Sequence, residues 1–476
     1  MKLSRLAGGS AGELGDIDIA GLTADSREVR PGFLFAALPG VRHDGTEFVP
    51  QAVASGAVAV LAGRSLDAGV PLITGQDPRR CLARMAARFY RSQPETVVAV
   101  TGTNGKSSIV WFLRQIWAAA GINAACLGTL GVTTRNGHYP GSLTTPDPVA
   151  LQRRAAALAN DGVTHLALEA SSHGLAQRRL DGLRLAAGCF TNLSHDHLDY
   201  HSSVEDYLEA KSRLFAELLP KGAPAVICAD SEHGATIAGR AREAGLRVVT
   251  YGRSGADVAY RVLEADLDGQ HLEIDAAGER ARVRLPLVGA FQAENAIAAF
   301  TLATVLDSGR RGALAALAGL TGAPGRLQPA GRSAGAAAFI DYAHTPEALR
   351  AAITALRPHT AGRIVTVFGC GGDRDRAKRA VMGRIAAELS DVAIVTDDNP
   401  RTEDAAAIRA EIMAACPGGI EIGDRRRAIV RAVSMLRQGD IALIAGKGHE
   451  TGQIVGDQVL PFDDLSVTGE AMEALT

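Results

Sequence analysis

The sequence predicts an α/β protein of three domains, and three observations predict it. Runs of β-branched residues alternate with helix-patterned stretches, as parallel sheets with covering helices require. A chain of 476 residues is too long for one core and long enough for three of ordinary size. The polar motifs follow directly after strand-like runs, where ligands gather in open α/β sheets.

Residues 1–92 hold the short apolar runs "GFLFAAL" and "AVAVLA" between turn-rich stretches, and predict a small N-terminal α/β domain. A central domain, 93–328, opens on the strand "TVVAV", followed by a helix whose Ile109, Val110, Phe112, Leu113, Ile116 and Trp117 share one face. "THLALE", "GCFTNL", "APAVICA" and "LRVVTY" supply further strands of a P-loop-type parallel sheet. "TGAPGRLQPAGRSAG", 321–335, is rich in Gly, Pro and small residues and marks a boundary. A C-terminal Rossmann-like open α/β domain, 329–476, follows with "AAAFID", "RIVTVFG", "VAIVTD" and "IALIAG".

Composition excludes several classes. A net charge of −2 and 4% aromatics argue against nucleic acid. Six scattered cysteines form no CxxC pair, so neither a thiolate metal site nor a disulfide framework is expected, and the reducing cytoplasm fits. The N-terminus is too polar for a signal peptide. The uncharged stretch Gln115–Thr134 is broken by Gly121, Asn123 and Gly128, so no membrane insertion is expected. A monomer is expected. Only six of the 50 basic residues are lysines, so a lysine inside a motif points to a need for its amine or its compact charge.

"TGTNGKSS", 101–108, lies between a strand and a helix, where successive N–H groups cradle phosphate, Lys106 reaches the β/γ-phosphates and Ser107 can ligate Mg²⁺. Val100 stands where the usual P-loop has glycine. Glu169 ends a strand and can hold a hard cation. "TNLSHDHLDYH" carries His195, His197 and His201; zinc lacks supporting spacing, and one imidazole assisting carboxylates around Mg²⁺ is the simpler reading. Lys211, on an amphipathic helix, is either a snorkelling side chain or an amine that takes up CO₂ as a carbamate.

"GTNGKSS", "EASSHG", "SHDHLDYH", "EAKSRLF", "NAIAAF", "GRLQ", "DYAHTPEAL", "GCGGDRD", "DNPRTED" and "GKGHE" occur in the order seen in Mur ligases, and the chain resembles that family over nearly its full length. The resemblance implies an ATP loop at Gly102, Thr103, Asn104, Gly105, Lys106, Ser107 and Ser108, with Asn295, Arg326 and Asp341 holding nucleotide near a hinge. It implies Mg²⁺ ligands at Ser107, Glu169, His197 and Lys211, the last as its carbamate. Ser26, with the loop 41–43 nearby, would meet the uridine part of UDP-N-acetylmuramoyl-L-alanyl-D-glutamate, and Thr144, Thr145, Ser171, Gln177 and Arg179 its muramoyl dipeptide. Arg374, Asp398, Asn399, Pro400, Arg401, Gly446 and Glu450 would receive the incoming amino acid. "DNPR" with "GKGHE" resembles the branch that adds meso-diaminopimelate. Leu143 departs from an asparagine common before the Thr-Thr pair, and Ala170 from a common valine.

The implied reaction is ATP-dependent amide ligation through an acyl phosphate, with domain closure uniting central and C-terminal sites. In this reading Pro400 and its neighbours set a turn so that Arg401, assisted by Arg374, meets the distal carboxylate of the diacid, while Asp398, Asn399 and Glu450 suit its ammonium. The rivals are a relative adding L-lysine or another amino acid, and a nucleotide-switched ATP-binding protein.

Overall fold

The computed structural model describes residues 1–8, 17–40, 43–141, 143–194, 200–201, 203–306 and 309–475. The chain is α/β and divides into two compact units, Met1–Tyr251 with Val305–Ser308, and Gly252–Thr304 with Gly309–Thr476.

In the first unit, β1 (Gly21–Thr23), β2 (Phe33–Ala37), β3 (Ala57–Ala62) and β4 (Leu72–Thr74) form a four-stranded parallel sheet in chain order. Both faces of β2 and β3 are covered, which is why they read as unbroken apolar runs. The helix Pro78–Tyr90 starts on Asp77, whose carboxylate accepts Arg80 N–H at 3.0 Å, and buries Leu82, Met85 and Ala86.

The larger sheet of this unit uses β5 (Thr96–Thr101), β6 (Ala124–Gly128), β7 (Gly131–Thr134), β8 (Gly137–Tyr139), β9 (His165–Glu169), β10 (Ala187–Phe190), β11 (Pro224–Cys228) and β12 (Arg247–Gly252). Its parallel part runs β12-β11-β10-β5-β9-β6, and β7 and β8 extend the β6 edge antiparallel. Val97 to Val100 are fully buried, and the following helix, Lys106–Ala119, packs the six apolar side chains that its period predicts. Pairing of Val100 with Glu169, Thr101 with Phe190 and Leu127 with Leu168 brings the carboxyl ends of four strands level. The stretch Gln115–Thr134, broken by glycines as the sequence shows, is a helix end, a turn and the strands β6 and β7.

The second unit opens on an antiparallel meander that alternation alone does not reveal: β13 (Val258–Asp266), β14 (Gly269–Ala276) and β15 (Glu279–Leu285). Its wet face carries Arg261 and Arg282 on either side of Glu273, so its apolar residues are thinned by charge. The main sheet contains β16 (Gln328–Ser333), β17 (Ala336–Asp341), β18 (Ile364–Phe368), β19 (Val392–Val395), β20 (Ile420–Glu421) and β21 (Ile441–Ala445), ordered β16-β17-β21-β18-β19-β20. All its pairs are parallel except β16 with β17. Six residues of the fifteen-residue Gly/Pro-rich stretch 321–335 are thus a strand rather than a linker; an edge position tolerates Pro329, and Gly331 takes up the register shift there. The motifs "DYAHTP", "GCGGDRD", "DDNPR" and "GKGHE" leave β17, β18, β19 and β21 at one edge. A hairpin of Gly452–Val455 and Gln458–Pro461 follows the last of them.

Behind that edge, Arg425 Nε and Nη2 donate to the two carboxylate oxygens of Asp464, both at 2.7 Å, and both side chains are fully buried. Arg425 also donates to Ala445 O at 3.0 Å, tying the end of β21 to the last helix, Asp464–Glu473. No helix among the described residues is long and apolar enough to cross a membrane. Removing one partner of such a pair strands the other charge. Asp464→Ala should therefore destabilise this unit by about 3–5 kcal/mol. The midpoint of its denaturant transition is the measurement, with Arg425→Met plus Asp464→Leu expected to recover most of the loss.

Candidate active site

In the first unit the loop 102–105 joins β5 to the helix Lys106–Ala119. Gly102 has φ +149° and Gly105 φ +86°, and a Cβ at Gly102 would lie 1.8 Å from Thr191 Oγ1. The residues after β10 brace the loop: Asn192 Oδ1 accepts Asn104 N–H at 2.9 Å, and Thr191 Oγ1 donates to Asn104 O at 2.7 Å. Both open the motif "TNLSHDHLDYH", but this bracing role is set by the neighbouring strand and is not visible in the motif. Lys106 Nζ donates to Gly102 O at 2.9 Å and Thr103 O at 2.7 Å. Lys211 donates to the same Gly102 O at 2.8 Å, lies 4.2 Å from the centre of the Tyr207 ring, and is buried. The snorkelling reading is thereby overturned: this amine points into the loop, not to water. Ser107 and Ser108 are buried in the first helical turn.

Glu169 is buried at the end of β9. Its Oε1 accepts Thr129 N–H at 2.8 Å, and Gly128 leaves it room, since a Cβ there would sit 2.0 Å from that oxygen. Thr129 Oγ1 and Thr144 Oγ1 are 2.9 Å apart. Thr145 Oγ1 donates to Glu169 O at 2.8 Å and accepts Ser171 N–H at 3.0 Å. Arg179 Nη2 donates to Gln177 Oε1 at 2.8 Å and its Nη1 to Thr145 O at 2.5 Å. Glu169, Thr144, Thr145, Ser171, Gln177 and Arg179 therefore form one connected shelf, and Thr129 is a member that no motif signals. Half-exposed Leu143 opens on a groove of about 480 Å³ beside Gly128. His201 packs among His173, Tyr200 and Tyr207. His195, His197, Val41 and Arg42 lie outside the described residues. Ser26 begins a short 3₁₀ turn, and its Oγ donates to Gln51 Oε1 at 3.4 Å.

In the second unit, Asn295, Arg326 and Asp341 share one neighbourhood. Gln292 bridges the first two, accepting from Asn295 Nδ2 at 3.4 Å and donating to Arg326 O at 2.9 Å. Asp341 Oδ2 accepts Leu327 N–H at 2.8 Å. Burial pushes the Asp341 carboxyl up to about 6, against the opposing pull of Arg326 and of backbone N–H groups.

The loop after β19 meets the loops after β18 and β21. Arg401 has φ +52°, a left-handed conformation that costs a non-glycine residue about 1–2 kcal/mol. Arg401 N–H donates to Ile454 O at 3.1 Å and Arg401 O accepts Gly456 N–H at 2.7 Å, so the hairpin clamps the strained residue. Its Nη1 donates to Gly372 O at 2.8 Å. Asn399 Nδ2 donates to Glu450 Oε2 at 3.0 Å. Asp398 Oδ2 is buried without a hydrogen-bond partner, 2.6 Å from where a Cβ on Gly446 would stand. Arg374 is exposed and donates to Asp373 O at 3.5 Å. Asp398, Asn399, Arg401, Gly446 and Glu450 thus converge, with Pro400 inside the turn.

Three domain models match the chain: the Mur ligase family catalytic domain over 18–90, the Mur ligase middle domain over 100–303, and the Mur ligase glutamate ligase domain over 325–448. The UDP-N-acetylmuramoyl-L-alanyl-D-glutamate–2,6-diaminopimelate ligase of Brucella melitensis is 55% identical over 467 residues, 97% of this chain and 96% of its own length. The chain belongs to the Mur ligase family. The ligase of the same name from Agrobacterium fabrum is 53% identical over 97% of this chain and 95% of its own. A solved structure of a ligase of that name shares the fold of this Mur ligase with a TM-score of 0.74, at 34% identity, covering 100% of this chain and 99% of the other. An ADP complex of a MurF ligase from Thermotoga maritima matches in fold, with a TM-score of 0.62 at 19% identity over 96% of this chain and 97% of the other.

The raised Asp341 carboxyl has a signed consequence for this Mur ligase. Between its unfolded value of 3.8 and its folded value of about 6, the folded chain holds a proton that the unfolded chain has lost. This contribution to stability is present below pH 4 and is lost as pH rises to about 6. Across that window Asp341→Asn should gain on the parent protein by an amount on the order of 3 kcal/mol, read from urea unfolding at each pH.

Proposed function

We propose that the chain is the ligase that joins meso-2,6-diaminopimelate to UDP-N-acetylmuramoyl-L-alanyl-D-glutamate with ATP, in peptidoglycan precursor synthesis. One observation carries the choice of amino acid: Arg401, in a clamped left-handed turn beside Asn399 and Glu450. A guanidinium suits a second carboxylate, which diaminopimelate carries and L-lysine lacks.

A carboxylate acylates poorly because its oxygen is a poor leaving group. Phosphoryl transfer from ATP to the D-glutamyl carboxylate replaces that leaving group with phosphate. The incoming amine then attacks the acyl carbon, the C–O bond to phosphate breaks, and the amine loses a proton as the amide forms. In this reading the N–H groups of 102–108 hold the polyphosphate. Lys106 offsets charge on the transferring group. Asn295, Arg326 and Asp341 hold the rest of the nucleotide. Thr144, Thr145, Ser171, Gln177 and Arg179 position the muramoyl dipeptide, and Ser26 the uridine end.

The donor set fits Mg²⁺: a buried carboxylate on Glu169, the Ser107 hydroxyl and phosphate oxygens are hard ligands. His197 and a carbamate on Lys211 would complete it, and the ion would supply charge neutralisation between two anionic reactants. Burial of Lys211 against Gly102 O supports a role at the phosphates. Lys211→Ala should lose most activity and regain part of it with added short carboxylic acids. The division into domains 1–92, 93–328 and 329–476 belongs to the same proposal, as does a cytoplasmic site, which six free thiols fit.

The deciding experiment measures phosphate release by the purified chain with ATP alone, then with the nucleotide-sugar dipeptide, then with each candidate amino acid. Turnover should require all three substrates and strongly favour meso-diaminopimelate over L-lysine. Release with ATP alone would instead indicate a nucleotide switch. Arg401→Ala should lose most of the preference, on the order of 2–5 kcal/mol in the ratio of kcat/KM values for the two amino acids.

A further inference from the structure

Among the scarce lysines of this chain, Lys447 is fully buried at a motif position to which the reading above gives no role. Its Nζ donates to Asn399 Oδ1 at 3.1 Å and to Glu450 Oε2 at 3.0 Å. Asn399 Oδ1 also accepts Ile454 N–H at 2.9 Å. Two donors use both lone pairs of that oxygen. The Asn399 amide is thereby fixed with Nδ2 toward Glu450, 3.0 Å away, and has only an N–H left to offer a ligand. Asn399 therefore suits a carboxylate, not the ammonium for which its position in the sequence nominates it.

The charges follow the same logic. Lys447 and Glu450 neutralise each other. Asp398 keeps a buried Oδ2 without a partner, and Arg401 gives Nη1 only to backbone oxygens. Among the converging residues, Asp398 and Arg401 are left as an anion and a cation to offer, the complement of one ammonium and one carboxylate on a single carbon.

We infer that Lys447 is a positioning residue for amino-acid specificity: it locks the Asn399 amide as a donor and cancels the charge of Glu450, so that the pocket matches a zwitterionic end group. This inference rests on the diaminopimelate reading. Without Lys447, the amide keeps only the Ile454 and Glu450 bonds to hold its orientation and the pocket gains a negative charge, which favours a simple ammonium such as that of L-lysine.

The test is steady-state kinetics of the full chain carrying Lys447→Met, with Lys447→Gln as a second variant that keeps an N–H donor for Asn399 Oδ1 should the first fail to fold. The KM for meso-diaminopimelate should rise by about tenfold to a hundredfold, the expected effect of losing a charge-assisted hydrogen bond. The KM values for ATP and the nucleotide-sugar dipeptide should stay unchanged, and preference over L-lysine should fall. Lys447→Met combined with Glu450→Gln should be less impaired than the product of the single losses, because charge balance returns. An unchanged diaminopimelate KM in the folded variants, a parallel rise of all three KM values, or multiplicative losses in the double variant would overturn the inference. A parent protein that releases no phosphate with diaminopimelate would overturn the substrate reading and this inference together. A parent that does so, with variants of unaltered KM, would overturn this inference alone.

Discussion

Parallel pairing levels the carboxyl ends of neighbouring strands, and the chemistry of both units depends on that register. Val100 opposite Glu169 and Thr101 opposite Phe190 set the loop 102–105, the Glu169 carboxylate and the bracing Thr191 and Asn192 on one edge. Asp341 opposite Ala445 does the same for the loops of the second unit. A slip of one residue would turn every apolar side chain of these buried strands to the other face, so the cores of Val97–Val100 and Ile441–Ala445 defend the site geometry. The hydrophobic effect thus places polar groups that take no part in it.

At those edges the backbone is held in conformations it would not choose. Gly102 can pass Thr191 only because it lacks a Cβ. Arg401 has a side chain and adopts a positive φ nonetheless, and Asp373 opposite it does likewise at φ +54°. Asp373 accepts Thr402 N–H at 3.1 Å and Thr402 Oγ1–H at 2.7 Å, and Arg401 donates to Gly372 O, so the two strained turns are tied together. Backbone strain that persists because its surroundings hold it is the usual mark of a pre-organised turn.

Buried charge follows a consistent rule. Lys211, Lys447 and Arg425 are all out of water, and each donates to backbone or side-chain oxygens at a strand end. Each desolvated cation would be costly alone; paired, it fixes the direction of the group that it serves. Arg425 with Asp464 anchors the frame behind "GKGHE", while Lys447 with Glu450 orients the face in front.

The sequence by itself determined the α/β class, most of the parallel strands, the buried face of the helix after the loop 102–105, and the motifs shared with the family. These are local matters: β-branched runs, helical period, and glycines where only glycine fits. The meander 258–285 stayed hidden because its solvent face is charged, and the strand inside 321–335 because an edge tolerates Gly and Pro. Only the tertiary structure decided that Thr129 holds Glu169, that Lys211 turns into the loop, and that Lys447 commits the oxygen of Asn399. Each of those depends on which atom faces which across 40 or more residues of chain, and no local pattern encodes that distance.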